Sequence, residues 1–183
     1  MPNSMMRTTG CLGLSIVVGV LFMSSMTGPV SGADAYKKVQ TSSFTMEIPS
    51  DWTTKQGNPD WYASPPKAAD SVSFSVRSAP FKGTLSEYVK SFKAEMQDSL
   101  NRSEILGEKT ATVAGQPAAT VDTRGPCVAM PSMPDGFYTC RARCWIFVKN
   151  HIGYQIMGSA NLDISKYEKT FVRMVSSFTP TGN

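Results

Sequence analysis

Three cysteines carry the most explicit chemical possibility in this chain, and their intervals narrow it. Cys127, Cys140 and Cys144 are separated by twelve and three residues. A thiolate metal centre wants a fourth ligand and tighter spacing, such as about two residues between cysteines. A redox-active thiol wants a depressed pKa, commonly supplied by a helix start. These three residues instead read as one in a loop and two in a strand. That favours a structural disulfide. In an extended strand Cys140 and Cys144 share a face but lie about 13 Å apart, whereas a disulfide spans roughly 4.4–6.8 Å between Cα atoms. Cys127, in a proline-rich loop, is then the mobile partner. Pairing of Cys127 with Cys140 is preferred, Cys127 with Cys144 stays open as the alternative, and one thiol is left over. Closing a loop of this length stabilises a fold by about 3 kcal/mol. A thiol-based redox or metal-binding role for Cys127, Cys140 and Cys144 is the competing expectation.

The other candidates are weaker. Met130 and Met133 could hold a soft metal, but the ordinary reading packs their thioethers against Phe137 and Tyr138. His151, the single histidine, falls in the turn signal Asn150-His151-Ile152-Gly153, where an exposed polar residue is unremarkable. Arg141 and Arg143 alternate with the cysteines and so occupy the opposite strand face. They could meet an acidic partner, although such charges are more often a solvated strand end. The sequence holds no glycine-rich phosphate loop, no paired catalytic carboxylates and no zinc motif of the HExxH kind. No catalytic residue, cofactor or metal ligand is therefore expected.

Where this chemistry takes place is set by the first residues. Met1 to Thr9 carries Arg7 and no acid, Cys11 to Met23 is apolar, and Pro29-Val30-Ser31-Gly32-Ala33 supplies small residues. That is the order of a secretory signal peptide. The apolar run is shorter than the roughly twenty residues a spanning helix needs. The expectation is a signal peptide over residues 1–33, with an uncleaved N-terminal anchor as the alternative if Ser24 to Val30 extends the apolar span, a short polar lead-in over 34–42, and one domain over 43–183. Export to the periplasm or beyond puts the cysteines in an oxidising compartment. Removing residues 1–32 from the 183 leaves 151, the size of one ordinary domain. The formal charge of +4 loses one arginine and becomes +3. Those charges are scattered, so the stripe of a nucleic-acid binder is missing. No second apolar run predicts a membrane span.

The elements that must position these residues follow from periodicity. Phe44, Met46 and Ile48 alternate with polar residues, as do Val72, Phe74 and Val76, which predicts strands with one buried face. A short strand over Trp61-Tyr62-Ala63 follows the turn at Gly57-Asn58-Pro59-Asp60. Thr84 and Glu87 have the spacing of a capping box, and Leu85, Val89, Phe92, Met96 and Leu100 continue it at helical spacing. Glu104–Val113 and Pro117–Thr123 form a hairpin around Ala114-Gly115-Gln116. Cys144 to Val148 is apolar throughout, the mark of a strand covered on both faces. Ser165 and Glu168 suggest a second capping box before a terminal helix bearing Tyr167, Phe171, Val172, Val175 and Phe178. The order is β-β-β-α-β-β-β-β-α, an α+β fold in which an antiparallel sheet is flanked by two helices.

Several of these pieces together resemble the PsbP-like superfamily. They are Phe44-Thr45-Met46-Glu47-Ile48-Pro49-Ser50-Asp51-Trp52, the helix Thr84 to Met96 and the hairpin Thr112 to Ala118. The strand Gly153 to Ile156 and the last helix ending Ser177-Phe178 complete the set. The resemblance implies a curved antiparallel sheet between helices, an αβα sandwich. It implies binding rather than catalysis and transfers no site. The Gly125 to Cys144 segment departs from the family pattern. It is the place where the chain's own function would lie, with Met130, Met133, Phe137, Tyr138, Arg141 and Arg143 as the candidate partner surface. The functional expectation is a monomeric exported domain that binds another envelope or secreted protein, with no nucleic acid.

Overall fold

The alternation read from the sequence becomes hydrogen-bonded strands wherever one face finds a cover. The computed structural model describes residues 35–57, 60–66, 72–98, 102–126, 139–161 and 163–181. Along them run β1 (Tyr36–Gln40), β2 (Phe44–Pro49), β3 (Thr53–Gln56), β4 (Asp60–Ser64), β5 (Ser73–Pro80) and α1 (Leu85–Gln97). Then come β6 (Glu104–Val113), β7 (Gln116–Pro126), β8 (Thr139–Lys149) and β9 (Ile152–Ala160). A 3-10 turn (Ile164–Tyr167), α2 (Glu168–Ser176) and β10 (Thr179–Pro180) end the chain. Seven strands form one sheet in the order β3-β4-β5-β9-β8-β7-β6, and β1-β2-β10 form a second. Every neighbouring pair is antiparallel. The fold is α+β.

On β8 the side chains divide by parity. Cys144 and Ile146 join α1's Tyr88, Val89 and Phe92 in one core. Trp145 and Phe147 join Phe171, Met174 and Val175 of α2 in another, with Phe44, Met46 and Ile48 of β2. The large sheet is thus covered on both faces of β8, which is why that strand is apolar at consecutive positions. Among the described residues no helix is long and apolar enough to cross a membrane.

Helix α1 begins as its sequence predicts. The Thr84 Oγ1 accepts from the Glu87 backbone N–H at 3.3 Å, and the Glu87 carboxylate accepts from the Thr84 N–H at 2.7 Å. That backbone hydrogen bond holds the Glu87 carboxyl below its ordinary range. The second expected box does not form. The Ser165 N–H is taken by the Asp163 carboxylate at 3.0 Å, and α2 starts at Glu168 without a side-chain cap. Glu168 has turned away toward Arg143, for a reason that lies in the site below.

The strand order also needs correction. Five strands, not three, precede α1, and a two-residue strand follows α2. The polar lead-in contains β1, which pairs with all but the first residue of β2. Its Tyr36 and Val39 pack on the core, while Lys37 donates to the carbonyls of Ser50 and Trp52. Strand β3 is exposed at every position, so it has no apolar period to read. Both short hairpins turn on residues with positive φ, Ala114-Gly115 and Asn150-His151, as type I′ turns require.

Candidate functional site

A cleft opens on the Trp145 face of the sheet, near the end where β7 finishes and β8 begins. Parity brings Arg141, Arg143 and Trp145 to the same side of β8. Antiparallel pairing then sets Arg143 directly opposite Asp122 of β7 and Gly158 of β9. Gly158 lets α2 come down onto the sheet. A Cβ there would stand 2.5 Å from the Phe171 ring, so only glycine leaves the ring its place. Between sheet and helix remains a cleft of about 340 Å³. Trp145 and Phe171 form its apolar floor, Ile164 and Ser165 of the 3-10 turn one wall, and Leu106 and Thr123 the other.

Asp122, Arg143 and Glu168 form an ion triad in this cleft. Arg143 donates through Nε to Asp122 Oδ1 at 2.7 Å and through a terminal nitrogen to Oδ2 at 3.2 Å. Its other terminal nitrogen donates to Glu168 Oε1 at 2.6 Å. The hydrogen bond to Asp122, followed by that to Glu168, holds the guanidinium well above its ordinary value against the cost of burial. The side-chain fork of an arginine suits this two-partner geometry, which a lysine could not reproduce. Glu168 thereby ties the first turn of α2 to the sheet, where its charge also complements the helix N-terminus. The expectation of a solvated strand end fails for Arg143 and fits Arg141, which is exposed at the rim. Arg141 acts on Asp163, whose carboxyl is lowered first by its hydrogen bonds from Ser165 and to a lesser extent by Lys166 and Arg141.

The cysteines divide. Cys144 lies on the opposite face from the cleft, fully buried in the core under α1, and its thiol is free. Burial pushes that thiol far up from its ordinary value. A sealed, protonated sulfur is a poor nucleophile and a poor ligand. Cys140 is half-buried near the start of β8, opposite Gly125. His151 is exposed in the β8–β9 turn, at the far end of the strand from the cleft. Cys127, Met130, Met133, Phe137 and Tyr138 lie outside the described residues. Among the described residues no cluster of three His, Cys, Asp or Glu side chains could hold a metal ion.

Sequence reasoning found both arginines and missed what surrounds them. Asp122 and Arg143 alternate on their own strands, but the long β7–β8 connection hid the register that pairs them. Trp145 and Phe171 read only as core residues. Glu168 read as a cap.

No family model and no curated protein sequence matches the chain. Solved structures do. A solution structure of cyanobacterial PsbP from Synechocystis sp. PCC 6803 superposes with a TM-score of 0.59 at 14% identity, over 84% of this chain and 96% of that one. The chain has a PsbP-like fold. A Pseudomonas aeruginosa protein of unknown function matches with a TM-score of 0.56 at 12% identity, over 81% and 99% of the two chains. The Saccharomyces cerevisiae Ran-binding protein Mog1p matches at 0.54 and 15%, over 79% and 95%. At 12–15% identity these likenesses show a shared fold.

Proposed function

We propose that this PsbP-like chain is an exported, non-catalytic binding domain. It acts as a monomer on another envelope or secreted protein once residues 1–33 have been removed. The observation that carries this reading is the state of the cleft. Three of its charged groups, Asp122, Arg143 and Glu168, are bonded to one another in a triad that fastens α2, and among the described residues its lining offers neither a thiol nor an imidazole to move a proton. Such a site recognises better than it reacts. One neighbour of the same fold is, by its name, a Ran-binding protein, which supports binding as the mode of action.

The partner surface in this reading is the segment from Gly125 to Tyr138 together with Arg141. A disulfide between Cys127 and Cys140 would hold that segment to the sheet. Support for that pairing comes from Cys144 being enclosed and from Gly125, two residues before Cys127, lying opposite Cys140. Crosslinking in the native compartment followed by mass spectrometry tests the reading. Replacement of Phe137 and Tyr138 by alanine should reduce crosslinked partner several-fold. Undiminished crosslinking, or recovery of the chain from reducing cytosol with residues 1–33 attached, would sink it. Thiol titration of the folded protein bears on the redox alternative, since a thiol reacting quickly near neutral pH would favour chemistry over binding.

A further inference from the structure

We propose that the cleft between β8 and α2 binds a small zwitterion with an apolar body, the chemistry of a free aromatic or branched amino acid. The site shares Arg141 with the proposed protein-binding surface but stands whether or not that surface binds a protein. Size comes first. A volume of about 340 Å³ lies at the low end of ligand pockets, roughly 300–1,000 Å³, and admits one small molecule. The apolar lining from Trp145, Phe171 and Ile164 suits a ring or a branched aliphatic group.

Charge then selects the head group. Arg143 is formally outweighed by its two carboxylates, so the triad as a whole carries one negative charge. Each of those carboxylates still has lone pairs beyond the bonds to Arg143, and can accept from an ammonium. Arg141 stands two residues along the same face, exposed, with no carboxylate at ion-pair distance among the described residues, Asp163 being near enough only to feel its charge. Directly across the strand is Arg124, a second cation, paired outward to Glu104. The cleft therefore sets a net negative triad beside an exposed cation, their two arginines about 7 Å apart along the strand backbone. A lone carboxylic acid would meet the triad's repulsion. A lone amine would leave Arg141 with only its longer-range attraction to Asp163. A molecule carrying both charges next to one apolar group satisfies the triad, Arg141 and the floor together, whereas a peptide bond would remove one of the charges.

The full chain is titrated by calorimetry with L-phenylalanine, L-phenylalanine amide and N-acetyl-L-phenylalanine. L-phenylalanine should bind saturably in the millimolar range or tighter, and each blocked form about tenfold more weakly. Arg141→Ala, an exposed change that leaves the triad intact, should weaken L-phenylalanine about tenfold and leave the amide unchanged. Thermal melting of Arg141→Ala shows that the fold is retained. Equal affinity for the three forms would overturn the proposal. So would the N-acetyl form binding best, binding of L-phenylalanine unaltered by Arg141→Ala, or an absence of saturable binding for both L-phenylalanine and L-leucine.

Discussion

At Gly158 a missing side chain shapes the site more than any present one. The hydrogen of that glycine lets Phe171 lie on the sheet, and Phe171 is almost wholly buried as a result. Gly158→Ala should force the ring and α2 outward, lowering stability by about 1–3 kcal/mol, the range for overpacking a filled core. Chemical denaturation measures the loss, and an unchanged midpoint would show that α2 can slide without cost. Asp60 carries a different residue-scale expectation. Its side chain is only 16% exposed, and the hydrogen bond from Arg77 lowers its carboxyl below 3.8 despite the opposing effect of burial. A group whose native pKa is depressed contributes stability above its unfolded value and loses it as pH falls through the native one. Wild type should therefore lose stability from about pH 4 downward, and Asp60→Asn should flatten that part of the profile in denaturation measured across pH. An equally steep profile in the variant would assign the acid sensitivity elsewhere.

Each helix is held to the large sheet by the same device. Arg77 on β5 bonds Asp60, its cross-strand neighbour on β4, at 2.7 and 3.2 Å and reaches Glu95 of α1 at 2.8 Å. Arg143 on β8 repeats the arrangement with Asp122 on β7 and Glu168 of α2. Partly exposed pairs of this kind contribute little individually, about 0.2–1 kcal/mol for a simple pair. Arg77→Ala and Arg143→Ala should each cost about 1 kcal/mol, and because they act on opposite faces the double variant should be additive within about 0.5 kcal/mol. Thermal or chemical melts of the three variants decide this, and a marked departure from additivity would mean that the helices communicate through the sheet. The contrast between the helix starts explains what sequence could reveal. The Thr84–Glu87 box is closed by residues three apart, so spacing alone exposed it. Glu168 has the same spacing from Ser165 but bonds an arginine on another strand, a competition no local pattern records. Likewise the buried strands were legible from alternation, while β1 and β3 were not. The lysines of β1 and the full exposure of β3 erase the apolar period.

For the whole molecule, identities of 12–15% with its structural neighbours coexist with TM-scores of 0.54–0.59. A scaffold can be retained through burial alone, since many apolar combinations of the right volume fill one core. The cleft shows the complementary behaviour: its floor is core and was readable as such, but its ligand-facing character arises only when β7, β8 and α2 converge. The seam between β5 and β9 has a temporal consequence. It joins Ser73 to Ser159, 86 positions apart, and it is the pairing that unites β3-β4-β5 with the remaining strands of the large sheet. Three of the seven strands must wait, unzipped, until β9 has emerged. Such distant closure makes for slow folding, so a chain cut before Ile152 would be left with strand edges that have nothing to join.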